Sequence, residues 1–186
     1  MANEAVLGLR GQLTLDEKNG RMAFAGQTAL YLPHKFLTRW LVEVEQALGV
    51  EGMLSLQRST AEQFYTMQRE LFKNSTEWLE ASPTQRLEMG LMLLRIEGWG
   101  RFEWEELTPN LGRVWARNNT LAEAYLENMQ RWMWPLRETP FCWLVSGRLQ
   151  ALVALASNLP VGQVRVMERA CLTVGADRCS FRVEVG

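Results

Sequence analysis

The chain has 186 residues, 47% of them hydrophobic and 22% charged, with a formal net charge of −1; these are ordinary globular values, and the length suits one domain, residues 1–186, with a full core. The near-neutral charge gives no electrostatic footprint for nucleic acid, no Lys/Arg run is dense enough for an anionic membrane surface, and no apolar stretch reaches the roughly 18–20 residues of a membrane span. The start, Met1-Ala2-Asn3-Glu4-Ala5, has neither the basic nor the apolar part of a leader, so a soluble cytoplasmic protein is expected.

Residues Val6 to Leu15 alternate, and Asn19-Gly20 is a strong hairpin turn into Arg21–Phe24. Pro33 opens a helix with Phe36, Leu37, Trp40, Leu41, Val44 and Leu48 at helical spacing, ending at Gly49. Ser59-Thr60 is read as the cap of a second helix, with Phe64, Met67, Leu71 and Phe72 on one face. Ser82-Pro83 starts a third, which Gly98 stops.

From Trp99 to Leu107 the pattern alternates as a strand, and Pro109-Asn110 turns it into Leu111 to Arg117. Asn119-Thr120 begins a helix through Arg131, and Pro135 and Pro140 break the chain before an apolar helix in Phe141–Leu155. Asn158-Leu159-Pro160 ends that helix. Two short apolar segments, 163–171 and 178–185, with Gly175 and Asp177 between them, read as a terminal hairpin. The fold class is α+β: helices packed on a small antiparallel sheet.

All three cysteines fall in the last third, at Cys142, Cys171 and Cys179, with Glu168 three residues before Cys171. Three thiols and a carboxylate are a donor set for tetrahedral zinc. A cross-strand disulfide between Cys171 and Cys179, or three plain buried thiols, are the competing readings. In a flat strand Glu168 and Cys171 face opposite ways, so a bulge or a strand end must turn one of them toward the other.

Catalytic patterns are missing. The one histidine, His34, is read as a helix-start residue; no phosphate-binding loop occurs, and Gly98-Trp99-Gly100 lacks the third glycine of a dinucleotide site. Glu103, Glu105 and Glu106 are read as a solvated face. Eight tryptophans are spread over the chain, as core, as interface or as the lining of a cavity for a flat ligand.

At the cysteines the sequence resembles the 4-vinyl reductase, or hydrocarbon-binding, domain family, and is similar to sensory domains of bacterial regulators that detect phenols and alkylbenzenes. The shared residues are Cys142-Trp143 with Gly147, Glu168 with Cys171, and Gly175 with Cys179. The resemblance spans most of the chain and is specific in its last third. It implies a structural zinc on Cys142, Glu168, Cys171 and Cys179 that pins the C-terminal β-hairpin. With four protein ligands such a site has no open position for catalysis. It also implies an apolar pocket between helices and sheet, for which Trp99, Phe102, Trp104, Trp115, Tyr125 and Trp143 are the candidates by position. The relatives pair through long helices, so a homodimer is expected, signalling through dimer or partner contacts. The function expected is binding or sensing of an apolar or aromatic small molecule. A tetrapyrrole-handling accessory and a structural adaptor are the rivals.

Overall fold

The computed structural model describes residues 13–16, 21–24, 27–29, 32–108 and 110–186. Three short N-terminal strands, β1 (Leu13–Asp16), β2 (Arg21–Phe24) and β3 (Gln27–Ala29), form an antiparallel sheet in the order β1-β2-β3. The Asn19-Gly20 turn and residues 6–12 of the expected first strand lie outside the described residues. Asp16 pairs with Arg21.

Helix α1 (His34–Phe72) begins after Pro33 as expected, and Gly49 breaks it, at φ 64° and ψ −170°. Helix resumes at once beyond that break, about ten residues before the expected Ser59-Thr60 start. The reason is the packing stripe Met53, Thr60, Ala61, Gln68 and Phe72, all buried, which runs unbroken through the supposed cap. Met67, expected on the inner face, is exposed. Helix α2 (Thr76–Glu80) is a single extra turn capped by Ser75, whose Oγ accepts from the Trp78 N–H. Trp78 is thereby laid flat on Phe72, ring centroids 4.1 Å apart.

Helix α3 (Pro83–Ile96) has a full capping box: Ser82 Oγ accepts from Gln85 N–H, and Gln85 Oε1 accepts from Ser82 N–H. Strands β4 (Arg101–Thr108) and β5 (Leu111–Arg117) pair as an antiparallel hairpin, and Asn119 caps α4 (Thr120–Trp132). Helix α5 (Trp143–Ala156) is followed by β6 (Val164–Ala170) and β7 (Cys179–Val185). The second sheet runs β4-β5-β7-β6, antiparallel throughout, which leaves β6 on an edge.

Period-two alternation turns Phe102, Val114, Ala116, Val164, Val166, Phe181 and Val183 inward. The helices cover that face, with α5 buried along nearly its whole length. The fold is therefore α+β, helices on a small antiparallel sheet ending in a β-hairpin. No helix among the described residues is long and apolar enough to cross a membrane.

Glycines fix two contacts of α5. A Cβ at Gly147 would lie 2.5 Å from the backbone oxygen of Gln57, so this glycine lets the backbones of α1 and α5 approach closely. At Gly90 of α3 a Cβ would fall 1.8 Å from Leu152 Cδ1. The glycine that accompanies the Cys-Trp pair in the sequence is thus a helix-packing residue.

Candidate metal centre and neighbouring grooves

Three elements converge on the cysteines. Cys142 stands at the N-cap of α5, held there by the two-proline segment before it, and its carbonyl accepts from Ser146 N–H at 2.8 Å. Cys171 lies just past the end of β6, where a short 3-10 turn (Leu172–Val174) closes with Gly175 at φ +88°. Cys179 opens β7 and pairs with Ala116 of β5. Ala170 opposes Ser180, so the register carried one residue further sets the extended Cys171 opposite Cys179, side by side at the mouth of the hairpin as expected, just beyond the last paired residues.

The expected irregularity is present. The β6–β7 register shifts between Glu168 and Ala170, so Glu168 opposes Phe181 while Ala170 opposes Ser180. This bulge puts Glu168 and Cys171 on one side.

One ligand atom from each of Cys142, Glu168, Cys171 and Cys179 lies within 4.8 Å of the others. The sulfur separations are 3.7 Å (Cys142–Cys171), 3.9 Å (Cys142–Cys179) and 3.6 Å (Cys171–Cys179). A zinc–sulfur bond of about 2.3 Å gives tetrahedral sulfur–sulfur edges of about 3.8 Å. Disulfide bonding needs about 2.05 Å, and the three thiols are free and buried. Glu168 Oε2 accepts from the Cys142 N–H at 2.7 Å, while Glu168 Oε1 is buried with no protein partner. An unpartnered carboxylate oxygen on a residue grouped with three sulfurs fits the chemistry of a fourth metal ligand.

The surroundings favour negative charge on sulfur. Asn119 Nδ2 lies 3.2 Å from Cys142 Sγ, and Thr173 Oγ1 lies 3.2 Å from Cys171 Sγ. The N-terminus of α5 adds its dipole. Hydrogen bonds from Cys142 and Cys179 pull the Cys171 thiol down, while burial pushes the Cys142 thiol up. Burial, then the charge on Cys171, pushes Glu168 up to about 9. Burial and mutual repulsion thus oppose several negative charges in the cluster at once. A divalent ion removes that restriction, because it neutralises several anionic ligands at once. Sulfur donors select zinc-like over oxygen-seeking cations.

The six aromatic candidates do not surround one cavity. Phe102 is core. Trp104 lies over Gly112 and lines a cleft of about 140 Å³. Trp115, opposite Glu103, is on the other face of the sheet, with Arg178 stacked 3.7 Å from its ring centroid and its indole N–H donating to Glu105. Period-two alternation separates it from Phe102 and Trp104, which sequence position alone had grouped together. Tyr125 packs on Phe141 and borders a hollow of about 420 Å³ with Trp134 and Arg137. Trp99 has the Arg148 guanidinium 4.6 Å from its ring centroid. Trp143 alone of the six lines the groove of about 710 Å³ between α1, the start of α5 and β6.

Arg148 escaped the sequence reading. It is 3% exposed, ion-paired with Glu97 and stacked 3.8 Å over Phe64. Burial pulls its pKa down to about 9, still well above neutral, so it stays charged at pH 7. A lone arginine in an otherwise apolar helix was the available signal. The thiol-bonding roles of Asn119 and Thr173 had none. His34 is exposed at the helix start, and Glu103 and Glu105 are ion-paired with Arg101, Arg117 and Arg113, as a solvated face implies.

No protein-family model matches the chain, and no curated protein matches it. The likeness to the 4-vinyl reductase domain thus rests on the motif residues. Among solved structures, the chain is similar to the phenol-responsive sensory domain of the transcription activator PoxR with phenol. The TM-score is 0.78 at 20% identity, over 100% of this chain and 90% of that one. It also matches a trafficking protein particle complex subunit 3 from Naegleria fowleri covalently bound to palmitic acid, at a TM-score of 0.49 and 10% identity, over 82% of this chain and 95% of that one. The first likeness is one of fold.

Proposed function

We propose that this chain is a small-molecule sensory domain whose C-terminal hairpin is held by a structural zinc on Cys142, Glu168, Cys171 and Cys179. The observation that carries the metal is the tetrahedral spacing of three sulfurs beside the unpartnered Glu168 Oε1. Its chemistry is structural: four protein ligands leave no open position. The sensory reading draws support from the fold shared with a phenol-responsive domain over the whole chain. A groove of about 710 Å³, the size of a small-ligand site, lies against the same hairpin, with Trp143 and Glu168 in its wall. Ligand contact there bears directly on the metal-pinned segment.

Output runs through dimer or partner contacts. Phe36 (59% exposed) and Trp40 (49%) on α1 and Trp132 (51%) on α4, two helices that pack together, are exposed apolar side chains available for pairing. Native mass spectrometry of protein purified without chelator is the test. One zinc per chain with an added small-molecule mass supports both parts; a metal-free chain with three titratable thiols overturns the zinc.

A further inference from the structure

We infer that the groove between α1 and the edge strand β6 is a site for an organic carboxylate with a flat apolar body. This rests on the small-molecule reading above and adds to it the place and the charge of the ligand.

The floor is apolar. Trp143, Val164 and Val166 line it, and the volume of about 710 Å³ accommodates a bicyclic aromatic. Trp143 brings an aromatic surface, while its indole Nε1 is buried behind it without an acceptor.

The rim is cationic. Arg58 from α1 and Arg165 and Arg169 from β6 line the groove and are exposed. None of the three forms an ion pair among the described residues, and Arg169 touches only the Met167 sulfur. Two carboxylates share the lining, Glu62 and Glu168. Glu62 offsets one arginine. The Glu168 carboxylate is engaged by the Cys142 N–H and belongs to the cysteine cluster, where the zinc proposed above would neutralise it. The rim therefore presents guanidinium groups above an apolar, aromatic floor, an arrangement complementary to a carboxylate on a flat apolar body.

The edge of the sheet does not favour a peptide strand here. Gln57 Nε2 already donates to the Val166 carbonyl at 3.0 Å, in the row that an added strand would need. A small molecule fits the groove with that bond intact.

The experiment titrates the zinc-loaded chain with naphthoate, with its neutral counterpart naphthylmethanol, and with phenol. Trp fluorescence reads affinity, and amide shifts read the place. Naphthoate is expected to bind at least tenfold more tightly than naphthylmethanol and to shift residues 164–169. The R165Q/R169Q variant should abolish that preference. Arg58→Gln, on the opposite wall and remote from the metal hairpin, should reduce it independently; unchanged melting and zinc content establish that both variants fold. Equal binding of the two naphthyl probes, or naphthoate binding that survives all three substitutions or shifts only residues elsewhere, overturns the carboxylate site and leaves the small-molecule reading standing. If no probe binds at all, phenol included, the small-molecule reading falls, and this inference with it.

Discussion

Glu168 and Cys142 are joined by one short bond: Glu168 Oε2 accepts the N–H at the first turn of α5, 2.7 Å away, and leaves Oε1 free and buried. The carboxylate thus holds the N-cap of a helix with one oxygen and keeps the other unpartnered within a residue group that includes three thiols. Substitution separates the two roles. Glu168→Gln keeps an acceptor for the Cys142 N–H and loses the anionic ligand, so zinc affinity should fall with a modest loss of stability in chelator. Glu168→Ala loses both and should cost about 1–2 kcal/mol more in denaturant titration. Equal zinc affinity in all three proteins would remove Glu168 from the ligand set.

Zinc removal should destabilise the whole chain. Cys171→Ser, or chelation of the wild type, is expected to lower stability by at least about 3 kcal/mol, roughly 6–12 °C in Tm at this size. Acidification should also release the metal, because each thiol must be deprotonated to bind it. Calorimetry with and without chelator checks this; coincident melts would mean that the cysteines are core residues.

Asn119 should act on the metal through its amide nitrogen. Its Oδ1 caps α4 by accepting from Leu121 and Ala122, while Nδ2 faces Cys142 Sγ. Asn119→Asp keeps the cap and replaces the donor with an acceptor. Zinc affinity should drop about 10–100-fold while the helix content stays unchanged. Competition with a colorimetric chelator reads the first and circular dichroism the second.

Gly147→Ala should destabilise in spite of alanine's better helix propensity. The propensity gain is at most about 1 kcal/mol. Against it stands a Cβ 2.5 Å from the Gln57 backbone oxygen, a contact that no side-chain rotation relieves. Overpacking of this kind costs about 1–3 kcal/mol, so a net loss is expected in urea unfolding.

Arg148→Met should cost about 3 kcal/mol by leaving Glu97 without its partner. The double variant Arg148→Met/Glu97→Gln should recover part of the loss, since the uncompensated charge is gone. A double-mutant cycle on thermal melts gives the coupling, and strict additivity would show that the pair is energetically idle.

The elements legible from the chain were those set by local chemistry. Ser82 with Gln85, Asn119 and Gly98 end or begin helices through bonds within a few residues, and the alternation of β4 and β5 is local too. The second half of α1 was misread because Ser59-Thr60 looks like a cap whenever its neighbours are unseen. In the fold Thr60 packs against Gly147, a partner 87 residues away in the numbering. Burial against another helix outweighed a local signal.

The candidate metal residues could be named in advance because the chain holds three cysteines and no others. Their convergence needed the β6 bulge, the 3-10 turn and the N-cap of α5 to act together. Which aromatic faces which cavity was beyond the sequence: Trp104 and Trp115 differ only in which side of the sheet their strand register turns them to. Composition, turn formers and donor types are properties of single residues and short spans, so the sequence by itself determined the α+β class and the candidate donor residues. Side-chain facing depends on register and on packing between distant segments, so only the tertiary structure decided the groove beside β6, the burial of Arg148 and the donors aimed at sulfur.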